Sequence, residues 1–561
     1  MRTTQITGLL LLLTTTLSAQ MMTYDWARQM GGAGFNNGSS IVLDAAGNVY
    51  TTGGFQGTAD FDPGGGVFNL TAAGSGDIFI SKLDAAGNFV WAKQMGGATT
   101  DDGRSIAVDA AGNVYTTGQF TGTADFDPGM GSYNLTAAAD MDIFISKLDA
   151  LGNFVWAKQM GASSFDIGQA IEVDAAGNVY TTGFFFNTVD FDPGVGTYNL
   201  SALSGHDMFV LKLDAAGNFV WARRMGGSTI QFGLDLKVDA LGNIYTTGHF
   251  RETVDFDPGT GTYNLTSAGD QDIFVHKLDP SGNFVWAKQF EGTGNDGGQA
   301  LALDAAGNVY TTGYFQGTAD FDPGAGVFDF TAVGDDDIFV SKLDPSGNFV
   351  WAKQFSGASF GVGSAITVDA AGDVYVSGAF MDTVDFDAGT GVFNLTATGG
   401  IDAFIHKMDA AGSFEWAVQL GSTDFDEALS IAVDVVGNVY TTGYFQGMVD
   451  FDPGTGTANM TSVGTRDIFV HKMGTMPVSI AENTLFEAVE IYPNPSEGDV
   501  TVDLNGINHA LIRVVTTAGR VIYENKVEND RDRFQINGTP GMYYVQIITP
   551  SSKKIFKLVK R

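Results

Sequence analysis

The chain has 561 residues and carries 64 acidic against 29 basic side chains, a formal net charge of −35. A field of that sign disfavours nucleic acid and anionic membrane as partners and favours cations. The absence of cysteine rules out a disulfide framework, a lipobox anchor and thiol chemistry, and a chain of this length buries a core without such staples.

Taken in chain order, residues 1–19 read as a secretory signal peptide. Arg2 is the positive start, Leu9 to Leu13 the apolar core, and Leu17-Ser18-Ala19 the cleavage site before Gln20. The apolar run is too short to span a bilayer, and no other segment approaches the ~20 residues a membrane helix needs.

Residues 20–474 are repetitive. All seven tryptophans stand 65 residues apart: Trp26, Trp91, Trp156, Trp221, Trp286, Trp351 and Trp416. One unit has been copied along the chain. In the copy around Trp91, Ile78 to Leu83 and Phe89 to Gln94 are short β-rich runs joined by Asp84-Ala85-Ala86-Gly87-Asn88. Asp opens such a turn by accepting a backbone N–H two residues on, and Gly supplies the position with positive φ. The same turn at Asp109 to Asn113 joins Ile106-Ala107-Val108 to Val114-Tyr115-Thr116-Thr117. Each unit therefore holds four strands in two hairpins, joined by a longer connection such as Asp125 through Thr136, and nothing shows helical periodicity. Seven such units predict an all-β, seven-bladed β-propeller. The Trp strand comes first, at Asp25 to Met30, and the Asp-Ile-Phe strand comes last, at Asp467 to Met473. The N-terminal strand is thus expected to complete the last blade, because an unclosed ring would expose edges.

The units resemble the SBBP-type β-propeller repeats of bacterial surface proteins. The carrying residues are Val108 to Gly118 and Asp142 to Asp149, and the resemblance covers roughly residues 24–474. It implies a fold and almost nothing about activity.

Residues 475–485 read as a linker, beginning Thr475-Met476-Pro477. Residues 486–561 read as a small β-sandwich of different charge: from Thr484 onward there are 9 acidic and 10 basic residues, leaving 55 and 19 for the rest. Its landmarks are Tyr492-Pro493-Asn494-Pro495 with Gly498, then Gly519, Gly541 and Tyr543. This pattern closely resembles the type A C-terminal sorting domain of the type IX secretion system of Bacteroidetes-type bacteria. The resemblance implies passage through the periplasm, recognition by the type IX machinery, and delivery to the outer cell surface or the medium.

The strongest chemical candidate inside the repeat is Asp-Phe-Asp-Pro-Gly-x-Gly. Its Asp pairs are Asp60 with Asp62, Asp125 with Asp127, Asp190 with Asp192, Asp255 with Asp257, Asp320 with Asp322, Asp385 with Asp387, and Asp450 with Asp452. In extended chain, residues i and i+2 point to one side while the Phe between them turns to the other. Two carboxylates ~6 Å apart repel by roughly 3 kcal/mol at an effective dielectric near 20, which Ca²⁺ would relieve. The glycines that follow would let backbone carbonyls approach such an ion. The EF-hand pattern is not met. Two readings therefore stand: a calcium site, or a turn in which Asp caps backbone N–H groups ahead of Pro-Gly.

A recurrent Lys (Lys82 and its six equivalents) is expected to partner the repeated Asp residues. The position before it, which is histidine in His276, His406 and His471, is expected to be half-buried. Variable aromatics are expected in two loops. One carries Phe184, His249, Tyr314 and Tyr444; the other carries Phe35, Phe165, Phe232, Phe360 and Phe425. Aromatics on a rigid scaffold suit glycan or protein binding, while packing between blades is the plainer alternative. No nucleophile elbow, His-Glu-x-x-His or phosphate loop is present. The sequence thus points to an exported, monomeric, non-enzymatic binding or adhesion module for protein or polysaccharide. A polysaccharide hydrolase or lyase, or a purely structural surface component, is the alternative.

Overall fold

A computed structural model of the chain describes residues 22–475, 489–505, 507, 510–516, 520–527, 531–549 and 553–561. The expected signal peptide, nearly all of the linker, and Gly519 lie outside the described residues. The chain divides after Thr475 into two compact units. Among the described residues there is no helix.

In the first unit the local grammar is that of the repeated turn. Asp44 Oδ1 accepts the N–H groups of Ala46 and Asn48, both at 2.9 Å, and Gly47 has a φ of 78°. Asp44 Oδ2 accepts the Asn48 amide at 2.7 Å and the Tyr50 hydroxyl at 3.1 Å. This turn fixes the register of strand Asn37–Leu43 against Val49–Phe55, and its twin at Asp84 does so for Asp77–Leu83 against Phe89–Gly97. Val49–Phe55 also pairs with Asp77–Leu83, so the order across the sheet is inner, second, third and outer strand, all antiparallel.

Along this sheet Tyr50, Lys82 and Trp91 stand in one cross-strand row. Lys82 Nζ lies 4.7 Å from the centre of the Tyr50 ring, and the contact recurs in all seven copies, to 5.3 Å for Lys472 over Tyr440. The expectation that these lysines partner Asp is corrected in most copies. Among the described residues only Lys342, Lys407 and Lys472 of the seven reach a carboxylate of Asp304, Asp373 and Asp25, at 4.0, 2.8 and 2.9 Å, Lys407 also reaching Glu415 at 2.9 Å. The aromatic face is the nearer negative surface, because the register puts it there.

The connection between second and third strands is not plain loop. Thr58–Asp60 and Asn69–Thr71 pair as a short extra hairpin. Its Phe61 is fully buried against Phe55 and Phe79, with ring centres 5.3 and 5.0 Å away.

The strand pairings repeat this four-stranded antiparallel set along the first unit; short hairpins extend several of the sheets, and two neighbouring sets join into one eight-stranded sheet. The inner strands of neighbouring sheets touch in sequence order, and the seventh, Glu427–Val433, touches the first. Together they line one central cavity of about 400 Å³. Side-chain acceptors on these strands bind the next sheet. Ser105 Oγ accepts Ile171 N–H at 3.2 Å, Asp235 Oδ2 accepts Leu301 N–H at 2.9 Å, and Ser430 Oγ accepts Ile41 N–H at 3.2 Å, across the point of closure.

The seventh sheet is completed by the N-terminal strand Met22–Gly32, which pairs antiparallel with Asp467–Thr475 from Met22↔Thr475 to Met30↔Ile468. Lys472 binds Asp25, and the Gln29 amide reaches Asp467 Oδ2 at 2.7 Å. Arg28 lies over Trp26 and donates from Nε to the Gly87 carbonyl of the first sheet at 2.7 Å. The strand therefore ties the last sheet to the first.

The second unit has a three-stranded sheet, Glu490–Tyr492, Asp499–Asp503 and Arg531–Gln535, and a four-stranded sheet, Val521–Val527, Ala510–Thr516, Gly541–Ile548 and Lys553–Lys560. Val500 and Val502 of the first pack in one core with Ile512, Val514, Val545 and Leu558 of the second. Tyr492 is exposed at its strand end. After Pro493, Asn494 clamps the last strand: its Nδ2 donates to the Lys557 carbonyl at 2.8 Å and its Oδ1 accepts Val559 N–H at 3.0 Å. Pro495 leads to Ser496, which pairs with Val559 and Arg561. The Gly498 carbonyl accepts Ile536 N–H at 2.8 Å. Gly541 opens its strand, and the buried Tyr543 donates its hydroxyl to the Thr539 carbonyl at 2.7 Å.

Candidate functional site at the mouth of the central cavity

The Asp pairs sit in the short extra hairpins. Asp60 Oδ1 accepts the N–H groups of Asp62 and Phe68 at 3.0 and 2.8 Å, and Asp62 Oδ1 accepts Gly64 N–H at 2.9 Å. The same three bonds form in every other copy. The first carboxylate of each pair, in Asp125, Asp190, Asp255, Asp320, Asp385 and Asp450, accepts the N–H of the second Asp and of the residue eight places on. The second carboxylate, in Asp127, Asp192, Asp257, Asp322, Asp387 and Asp452, accepts the N–H of the Gly two places on.

These bonds take one oxygen, Oδ1, of each carboxylate. Asp322 binds Gly324 N–H at 2.9 Å, Asp387 binds Gly389 N–H at 2.9 Å, and Asp452 binds Gly454 N–H at 2.8 Å, each through Oδ1. Their Oδ2 atoms lie against Gly326, Gly391 and Gly456, where a Cβ would collide with them. The last Gly of the motif therefore makes room for the carboxylate. Partial burial pushes Asp125 up, but the bonds from Tyr133, Asp127 and Ser132 hold it below its ordinary value. This is the geometry of a capped turn. Among the described residues no group of three His, Cys, Asp or Glu side chains is placed to hold a metal.

Calorimetric titration separates the two readings. A calcium site in each copy predicts that Asp255→Asn with Asp257→Asn removes about one Ca²⁺ per chain. The capped turn predicts that millimolar Ca²⁺ raises the melting temperature no more than NaCl at matched ionic strength, and that is the outcome expected from these bonds.

The three histidines are fully buried, not half-buried as the alternation implies. Burial pushes His276 and His406 down to about 3 and His471 to about 4, so all are neutral. His406 packs 4.3 Å from the Phe355 ring with Nε2 against the Phe386 carbonyl at 3.0 Å. They fill the interior of three separate sheets.

Several sheets also bury a pair of carboxylates between the third strand and the next inner strand. Burial pushes Asp166 up to about 7 against the lowering by Phe186 and Ala162 N–H, and the neighbouring Asp142 adds to the rise. Asp296 rises to about 7, again through burial first, with Asp272 and Asp336 adding to it, and Asp101 and Asp426 rise to about 6. A carboxyl raised in the folded state stabilises fully below its unfolded value, near 4, and that contribution is lost as pH rises through the folded value. For Asp166 the span is roughly 4 kcal/mol at most, at ~1.4 kcal/mol per pKa unit. In the first copy the equivalent residue is Asn36. Asp166→Asn is expected to gain in melting temperature relative to the parent as pH rises from 5 to 8. A difference independent of pH would reject a raised Asp166 carboxyl.

What distinguishes the copies lies elsewhere. The cavity is lined by the third to seventh residues of the inner strands. Their first residues, or the second in Gln231–Val238 and Gly361–Val368, each paired with the sixth residue of the second strand, therefore ring one mouth. The pairs are Asn37↔Gly54, Asp102↔Gln119, Ile167↔Phe184, Phe232↔His249, Gly297↔Tyr314, Val362↔Ala379 and Glu427↔Tyr444. Phe184, His249, Tyr314 and Tyr444 thus lie within strands, which corrects the expected loop, and Phe232 is likewise within an inner strand. Phe184, His249 and Tyr444 are buried and Tyr314 half-buried. Phe184 packs on Phe232 of the next sheet with ring centres 4.3 Å apart, and His206 and His249 close the same aromatic group. These side chains form the wall of the mouth. Phe35, Phe165 and Phe425, on the connections just before the inner strands, are the exposed rings.

One sector of the ring is polar. Arg466 lies 4.1 Å over Tyr444 and 5.4 Å from Phe35. Burial pushes Glu427 up, while a hydrogen bond to Tyr444 and the Arg466 charge lower it. Asp102 is pushed up by burial and lowered by Arg104, 3.3 Å away, and by Arg466. In the sequence Arg466 is legible only as one of several scattered copy-specific residues, because its partners stand 22 residues before it and more than 360 residues before it in the chain.

Residues 490–561 match the family model described as a secretion system C-terminal sorting domain, and residues 90–125 match that of a β-propeller repeat. The chain thus carries a β-propeller repeat and a type IX secretion system sorting domain, which directs it to the outer cell surface or the extracellular space. No helix among the described residues is long and apolar enough to cross a membrane. It is 28% identical over 505 residues to an uncharacterised WD repeat-containing protein of Acanthamoeba polyphaga mimivirus, covering 75% of this chain and 36% of that protein. It is 24% identical over 473 residues to the regulatory protein FlaEY of Caulobacter vibrioides, covering 77% and 45%. The chain therefore spans less than half the length of either relative. A solved structure of PorZ, an essential surface component of the type IX secretion system of Porphyromonas gingivalis, aligns over 95% of this chain and 100% of that one. Its identity is 11% and its TM-score 0.16, too low to carry an argument.

Proposed function

We propose that the exported protein is a non-enzymatic binding or adhesion module whose ligand, an extracellular protein or polysaccharide, is met at this mouth. The observation that carries the reading is the distribution of difference. Turns, caps, the Tyr–Lys–Trp row and the cores repeat from copy to copy, whereas the residues ringing the mouth do not. A rigid frame with a varied rim is the arrangement that binding sites on propellers and barrels require. Phe184, His249, Tyr314 and Tyr444 shape the wall, and the exposed rings and charges supply contacts. Against an enzyme stands the pairing of the mouth acids: Asp102 faces two guanidinium groups and Glu427 faces Tyr444 and Arg466, which suits neither as a free general acid.

The test is a glycan and protein binding screen with the mature protein, with and without Ca²⁺, followed by Tyr314→Ala. Binding that weakens at least tenfold in a variant of unchanged melting temperature supports the reading. Turnover of a polysaccharide, abolished by replacing Asp102 or Glu427, would replace it with a hydrolase or lyase.

A further inference from the structure

We propose that four of the junctions between neighbouring copies are each closed by one proton held between two buried carboxyl groups, while the seam where the two ends of the propeller meet is closed by an amide. Acid then tightens the ring at those four places and rising pH loosens it there, with the seam exempt.

Each junction sets the Asp that opens a third strand against the residue 24 places on, at or just before the next inner strand. The first residue is Asp in every copy. The second reads Asp101, Asp166, Gln231, Asp296, Gly361 and Asp426, and at the seam Asp467 faces Asn36. The seam is fully bonded. Asn36 Nδ2 and Gly32 N–H both donate to Asp467 Oδ1 at 3.2 Å, and Gln29 and Val463 N–H take Oδ2. Where Gly361 stands, Gly357 N–H reaches Asp337 Oδ1 at 3.2 Å instead. Where Gln231 stands, Arg224 holds Asp207 Oδ2 at 2.7 Å.

Where both residues are Asp, a donor is missing. Asp77, Asp142, Asp272 and Asp402 each use Oδ2 to accept a backbone N–H from four places upstream and a Gln amide from the outer strand. Their Oδ1 atoms are buried with no hydrogen-bond partner, as is Asp296 Oδ2. All eight carboxyl groups are at most 1% exposed. An orphaned buried acceptor is costly, and two adjoining carboxylates away from water cannot both stay ionised. One proton answers both problems. A hydroxyl on the second Asp donates to Oδ1 of the first, as the Asn36 amide does at the seam, or the first donates to the second. Either way the pair keeps one negative charge and titrates as a unit. Loss of the proton leaves two carboxylates and no donor between them.

No cation replaces the proton at these four places. The charge facing Asp101, Asp166 and Asp426 is that of Asp77, Asp142 and Asp402, and Asp296 faces Asp272 and Asp336. Burial first, and these charges after it, push Asp101 and Asp426 up to about 6 and Asp166 and Asp296 to about 7. The contribution to stability is therefore full below the unfolded value near 4 and is lost as pH rises through 6 to 7.

The experiment compares the full mature protein with the fourfold variant Asp101→Asn, Asp166→Asn, Asp296→Asn, Asp426→Asn, which puts the seam's own residue at each place. Infrared spectra at pH 6 are expected to show the carbonyl stretch of un-ionised carboxyl groups in the parent and to lose it in the variant. Denaturant unfolding at pH 5.5 in weak buffer is expected to release about four more protons per chain from the parent than from the variant. If the fourfold variant does not fold, Asp166→Asn and Asp296→Asn are each expected to lose about one of those protons. Asn36→Asp is expected to extend the device to the seam, lowering the melting temperature more at pH 8 than at pH 5. No un-ionised carboxyl band in the parent, or equal proton release from parent and variants, overturns the proposal. So does a rise in the parent's melting temperature at pH 8 with millimolar CaCl₂, beyond matched NaCl and absent from the variant, since the pairs would then hold a metal ion in place of a proton.

Discussion

Removing Tyr24–Gly32 is expected to lower the melting temperature of the protein by more than about 10 °C, or to drive it into aggregates. The strand carries Trp26, Ala27 and Met30 into two neighbouring cores, each less than a tenth exposed. Large apolar side chains contribute roughly 1.5–3 kcal/mol each on burial. Their loss comes together with the ladder to Asp467–Thr475, the Asp25–Lys472 pair and the Arg28 bond to the first sheet. The remaining edge of Asp467–Thr475 would then offer unpaired backbone to other chains. Differential scanning calorimetry with light scattering reads both effects. A truncated protein that stays monomeric and melts within about 2 °C of the parent would show that the ring does not depend on this strand.

Removing residues 486–561 is expected to leave the protein inside its native host, in the periplasm, with essentially none at the cell surface or in the medium. The tail forms a compact unit of its own with its own core and matches a sorting domain along 490–561. Its loss should therefore spare the propeller while deleting the address. Fractionation with antibody against the propeller checks this, and normal surface exposure of the shortened chain would reject the assignment. A chain disrupted only locally, by Asn494→Ala, should show a partial defect, because Asn494 holds the final strand by two bonds.

Much of the fold is legible because the repeat states it seven times. The tryptophan spacing gives the unit. The Asp-x-x-Gly-Asn turns give the hairpins, and the order of strands at the two ends places Met22–Gly32 beside Asp467–Thr475. Side-chain partners are less legible, since they depend on which residues face each other across strands. Lys82 looks like a partner for Asp, but the register sets it over Tyr50. Asp320 and Asp322 look like converging ligands, but local N–H groups take an oxygen of each. Phe184 looks like a loop residue, although it lies within a strand and packs on a neighbour 48 residues away. The polar sector is hidden for a topological reason. Phe35 and Arg466 are separated by most of the propeller and meet only where the ring closes. Aligning the copies and reading down the column that begins with Asn37, beside the column that begins with Gly54, exposes the rim.

The seating of Met22–Gly32 against Asp467–Thr475 also dictates an order of events. Its partner strand lies some 450 residues downstream, so a strand synthesised long before its partner is the last to find its place. Until then the molecule is an arc with two sticky ends, one of them a segment whose Trp-Ala-x-Gln core recurs in most other copies. Any third strand along the arc, or in a second arc, is a near-equivalent berth, and contacts of such long range form slowly. Biogenesis of this protein is therefore a contest between shutting the circle and being completed by a sibling, and holding the chain unfolded until all of it has emerged favours the circle.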